Sequence, residues 1–140
     1  MVKKELQRAR ILKSKIELLE DMALRIRAAV ENPKPVAFDK LDIQQTPQNV
    51  FELTMIRLDE IETELGDLMG EYYSILAEFE IASEELTYTE ANILRLYYFY
   101  QVPICDLLVA YNRSNEGHEI NYRQMSYMIE KAVEKISSKK

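Results

Sequence analysis

The sequence predicts an all-α protein: two long coiled-coil-like helices followed by a small helix-turn-helix domain. Three observations predict it. Apolar residues recur in alternating steps of three and four over two long stretches, the spacing of a helical seam. Glycine and proline are scarce, three and four in 140 residues, so little interrupts a helix. Alternating Val/Thr/Ile runs closed by Asn-Gly or Asp-Gly, the mark of hairpin strands, are absent.

The first helix is expected over 1–31. Its seam is Ala9, Leu12, Ile16, Leu19, Ala23, Ile26 and Val30. "NPKPVAF" ends it, because Pro33 and Pro35 cannot continue a helix, and a linker follows over 32–45. Thr46 suits an N-cap and Pro47 the first helical position, so the second helix is expected over 46–84. Thr54, Leu58, Ile61, Leu65, Leu68, Tyr72, Ile75, Phe79 and Ala82 repeat the spacing. Glu60, Glu62, Glu64, Asp67, Glu71, Glu78 and Glu80 make its outer face acidic, read as a solvated surface. Gly66 and Gly70, one turn apart, weaken the helix locally. Two such seams need partners. They pair within the chain as an antiparallel hairpin, between chains, or both.

A third region, 86–140, opens with Thr87 and Glu90 in the Thr-x-x-Glu pattern of a capping box. Ala91, Leu94 and Tyr98 give the inward face of this helix. Val102-Pro103 ends it, and "PICDLLVAYN" reads as a short helix. "RSNEGHE" reads as a loop. Asn121 caps a last helix to about Ile136, with Met125, Met128, Ile129, Ala132, Val133 and Ile136 inward. Tyr97, Tyr98 and Tyr100 are read as core or interface rather than as a stacking platform. Cys105 is expected to be a buried small hydrophobe.

Net charge is −6, which argues against bulk nucleic-acid affinity. Its distribution is uneven. Residues 1–85 carry 11 Lys/Arg and 18 Asp/Glu, while 86–140 carry seven and six. Within the first segment, 1–15 holds six bases and one acid. Two weakly basic ends therefore flank an acidic middle. One cysteine excludes an internal disulfide and fits a reducing compartment. Neither a signal peptide nor a membrane-spanning run is read, so a cytoplasmic location is expected. His118 stands alone, so no metal site is expected. Nucleophile triads, phosphate loops and paired carboxylates are also missing, so neither enzyme activity nor a cofactor is expected.

Three stretches of the third region, "TEANILRLYYFY", "ICDLLVAYN" and "INYRQMSYMIEKAVEKI", carry a resemblance. They resemble the promoter-reading region 4 of bacterial sigma factors. The whole layout resembles phage late-gene transcription regulators of the ArpU/RinA type, which join a helical N-terminal region to a sigma-region-4-like domain. The "EKAVEKI" tail is the most specific part. The resemblance implies a transcription regulator that binds double-stranded DNA in a host bacterial cytoplasm.

The physical logic of a recognition helix nominates residues. Such a helix enters the major groove by its N-terminal residues, here Tyr122, Arg123, Gln124, Ser126 and Tyr127. Arginine pairs bidentately with guanine and glutamine with adenine. Lys131, Lys135 and the loop residue Arg113 are the expected phosphate ligands. Few interactions of this kind imply modest, salt-sensitive affinity, which a homodimer through the long helices would raise. The connection "RSNEGHE" is longer than the family's turn, and Glu116, Glu119, Glu130 and Glu134 oppose phosphate. These features support an alternative, an interaction protein that binds a host protein such as RNA polymerase or a defence factor. A structural coiled-coil adaptor is the remaining alternative.

Overall fold

The structure, a computed structural model, describes residues 2–31 and 47–137. The linker 32–45, with Pro33 and Pro35, and the Thr46 cap lie outside the described residues. The protein is all-α. Two long helices, α1 (Lys3–Glu31) and α2 (Pro47–Ala82), pack together, and three shorter helices follow: α3 (Tyr88–Leu94), α4 (Ile104–Ser114) and α5 (Tyr122–Ser137). The chain forms two compact units, one of residues 14–70 and one of 1–13 with 71–140.

In the 14–70 unit the two seams meet each other. Leu19 and Ala23 of α1 and Leu58 and Ile61 of α2 form a buried cluster, with Met22, Ile26, Leu65 and Leu68 packed against it. Each large side chain taken from water there contributes about 1.5–3 kcal/mol. Ile26, near the end of α1, shares a groove with Val50, Leu53 and Thr54, at the start of α2. The helices therefore run antiparallel within one chain. Arg27 and Glu62 pair across the hairpin's surface.

In the other unit the end of α2 supports the shorter helices. Tyr72, Ile75 and Phe79 are buried. The Tyr72 hydroxyl donates to the Phe99 carbonyl oxygen at 2.7 Å, and the Tyr72 and Phe79 rings both pack on Phe99. The Arg95 guanidinium reaches both Glu80 oxygens, at 2.8 and 2.9 Å, which holds the Glu80 carboxyl below its usual range. Arg8 makes the same two-pronged interaction with Glu71, at 2.8 and 3.1 Å.

The expected capping box forms. The Glu90 amide donates to Thr87 Oγ1 and the Thr87 amide to Glu90 Oε1, both at 3.2 Å. Beyond α3 the chain widens into a π turn over Arg95–Phe99. It closes with the Val102 amide donating to the Leu96 carbonyl at 3.0 Å and Gln101 at φ 55°, the left-handed conformation that ends many helices. Pro103 then stands as the N-cap of α4 rather than in its first turn, and its carbonyl accepts from Asp106 and Leu107.

Some boundaries differ from the sequence reading. The second helix stops at Ala82, and a 3₁₀ turn, Ser83–Glu85, follows. α4 runs on to Ser114, so Arg113 and Ser114 are helical and not loop. Cys105 is exposed, not buried. The inward edge of α4 is Ile104, Leu107, Leu108 and Tyr111, at i, i+3, i+4 and i+7, and Cys105 lies off that edge.

Candidate functional site

α5 buries Met125, Ile129, Ala132, Val133 and Ile136, at steps of three, four and one, and so presents the opposite face to solvent. Met128 is half-buried at the margin. α3 and α4 both pack on α5. Asn112 joins α4 to the segment before α5: its Nδ2 donates to the Ile120 carbonyl at 3.0 Å and its Oδ1 accepts the Ile120 amide at 2.9 Å. That side chain substitutes for a backbone partner and fixes the seven residues between the helices at both ends.

The eight residues nominated for DNA binding are not equivalent. Tyr122, Arg123 and Tyr127 are exposed on α5, and Arg113 is exposed in the last turn of α4. Among the described residues, neither arginine has an acidic partner. Ser126 is half-buried at one edge of the helix. Gln124 is committed locally. Its Oε1 accepts the Asn121 amide at 2.9 Å, and its own amide donates to Asn121 Oδ1 at 2.8 Å. This is a second capping box, and it occupies the acceptor that a bidentate adenine pairing needs. The sequence carried the signal, since Asn-x-x-Gln has the spacing of Thr87-x-x-Glu90.

Both lysines have acidic partners. Lys131 lies 3.3 Å from Glu134 Oε2 and 5.3 Å from the Tyr127 ring centroid, and the Glu134 carboxylate raises its ammonium above the usual range. Lys135 donates to both Glu90 oxygens, at 3.0 and 2.9 Å. Burial favours a neutral Glu90. The hydrogen bonds from Lys135 and Thr87 outweigh it and hold the carboxyl below its usual range.

Sequence reasoning missed what lies along the other edge of α5. A groove of about 510 Å³ is lined by Lys3, Gln7 and Arg10 of α1, by Tyr97, and by Ser126 and Glu130 of α5. The Arg10 guanidinium stands 4.2 Å over the Tyr97 ring and donates to the Tyr97 carbonyl at 3.2 Å. Gln101 Nε2 donates to the Arg10 carbonyl at 2.6 Å, which ties α1 to the segment after the π turn. The basic run at 1–15 was visible in the sequence. Its neighbour, more than a hundred residues away, was not. Tyr98 is buried beneath the groove, Tyr97 half-buried and Tyr100 exposed, so the three tyrosines form no common platform.

Among the described residues, no three His, Cys, Asp or Glu side chains gather as metal ligands, and no helix is long and apolar enough to cross a membrane. Comparison with protein-family models, curated proteins and solved structures yields no match, so no family is identified.

Proposed function

We propose that this protein is a transcription regulator of the ArpU/RinA type, which binds promoter or control-site DNA through α4 and α5 used as a helix-turn-helix. The observation that supports this reading is the solvent pole at the start of α5. Arg123, without an acidic partner among the described residues, stands between the exposed Tyr122 and Tyr127 on a helix whose opposite stripe is fixed in the core. Those are the positions from which a recognition helix reaches base edges. Arg123 is the base reader in this proposal, Ser126 and the two tyrosines flank it, and Arg113 is a phosphate ligand. Pairing of two copies through the long helices would present two such poles to a duplex, and RNA polymerase is a further partner of the reading.

One observation favours a second reading, in which the same pole binds a host protein. Gln124 is held in a cap, and Lys131 and Lys135 are held by carboxylates. What remains, Tyr122, Arg123 and Tyr127, is the residue mixture that dominates protein–protein interfaces. Selection of duplexes from random sequence at low salt separates the two. Enrichment of a fragment supports DNA binding, and its absence together with co-purification of RNA polymerase supports the protein partner.

A further inference from the structure

We infer that the first three turns of α1 form, with the groove-facing edge of α5, one anion-accepting surface that holds the phosphate backbone of duplex DNA. The inference rests on the DNA-binding reading and adds to it a second element, contributed by the opposite end of the chain. Lys3, Gln7 and Arg10 stand at i, i+4 and i+7 and so share one edge of α1. Ser126 and Glu130 of α5 line the same groove. Arg123 lies one turn before Ser126 and continues that edge of α5.

Charge decides which side of α5 a polyanion would meet. On the side toward α3, Lys135 is held by Glu90, and Lys131 on the outer face is held by Glu134. On the groove side neither Lys3 nor Arg10 is paired with a described carboxylate, and Arg10 is oriented by the Tyr97 ring and carbonyl. Lys3 and Arg10 thus share the groove with one acid, Glu130, and Arg123 extends the α5 edge one turn before Ser126. Gln7 adds a neutral amide donor. From Lys3 to Arg10 the edge spans about 10 Å along the helix, close to the axial rise of three nucleotides of one strand at about 3.4 Å each. Phosphate binding beside a helix that reads bases fixes its register without carrying sequence information. A chain of net charge −6 can bind a polyanion only where cations are gathered locally, and this groove edge gathers them.

The test uses the full chain and a duplex enriched from random sequence, with affinity measured across a salt series. Replacing Lys3 and Arg10 together by Ala should weaken all duplexes alike and reduce the slope of log K against log[salt] by about 1.8, or about 0.9 for each phosphate no longer neutralised. Lys3→Arg, which keeps the charge, should keep the slope. Glu130→Gln should tighten binding at low salt. If Arg10→Ala impairs folding by circular dichroism, Lys3→Ala alone should still lower the slope by about 0.9. Wild-type binding with an unchanged slope in the Lys3 variant overturns the composite surface and leaves the DNA reading standing. If no duplex binds the wild type, both fall.

Discussion

Lys135 and Glu90 meet at 2.9 Å, with the carboxylate also closing the cap of α3 and the ammonium coming from the last turn of α5. The Glu90 side chain is 13% exposed and that of Lys135 53%. One carboxylate therefore ends one helix and fastens another to it. Lys135→Ala should cost about 0.5–1 kcal/mol, as expected for a partly exposed pair, and lower Tm by a few degrees. It should leave the circular dichroism spectrum of the folded chain unchanged. A melt indistinguishable from wild type would show that the pair contributes nothing to holding α5.

The same pair sets a pH dependence. Burial works against the charged form of Glu90, but its bonds to Lys135 and Thr87 prevail and hold the folded-state carboxyl below its unfolded value. Glu80, bonded to Arg95, is shifted the same way. Stability from a lowered carboxyl is complete above the ordinary carboxylate range and is lost as pH falls through the folded value. Tm should be flat near neutrality and drop in acid. Glu90→Gln, which keeps a cap acceptor but removes the charge, should shallow that drop. An acid limb as steep as that of wild type would place the titrating groups elsewhere.

Adjacent residues on α5 should respond differently to truncation. Gln124→Ala removes half of a capping box and should cost about 1 kcal/mol of stability. Arg123→Ala removes an exposed side chain with no ion pair among the described residues and should shift stability by less than about 0.5 kcal/mol. On a selected duplex, Arg123→Ala should cost about 1–3 kcal/mol, roughly 5- to 150-fold in affinity. Equal melting of the two variants would contradict the cap, and equal DNA binding by Arg123→Ala and wild type would contradict the base reader.

Exposed, polar and glycine-containing, the α4–α5 connection resembles a protease site, yet Asn112 bonds both polar groups of Ile120. Asn112→Ala leaves those groups without their partner, at a cost of about 1–3 kcal/mol. Limited proteolysis should cut near Gly117 sooner in this variant than in wild type. Identical digestion of the two would mean that the connection is held by something other than Asn112.

Periodicity made the long helices legible, because burial along a helix imposes the three/four spacing that Leu58, Ile61 and Phe79 display. The Thr87–Glu90 cap was legible for a similar reason, since both partners lie within one turn. Hairpin pairing within the chain was not, because a seam specifies an apolar partner but not which one. The exposure of Cys105 turned on a phase of α4 that its short length leaves weakly marked. At the candidate site, the outward face of α5 was readable from its own residues. The pairing of Lys131 with Glu134 lies within one turn of α5, but that of Lys135 was not readable, since Glu90 meets it across 45 positions. Nor was the placing of Lys3 and Arg10 beside α5, which only the tertiary fold brings about.

The π turn at Arg95–Phe99 ends its helix with a wider last turn than ordinary winding gives, so a single codon there sets the direction in which the chain leaves it. Each residue advances a helix by about 100° and 1.5 Å. Deleting Leu96 would restore ordinary winding and rotate everything after it by that angle. Phe99 would then leave the Tyr72 hydroxyl, and Gln101 would leave the Arg10 carbonyl. Two related chains differing only by that codon would share nearly every letter yet present the groove beside α5 differently. Gaps at this point in an alignment thus mark changes of surface geometry, whereas gaps within 115–119, before the residues that Asn112 and the α5 cap hold, mark only changes of loop length.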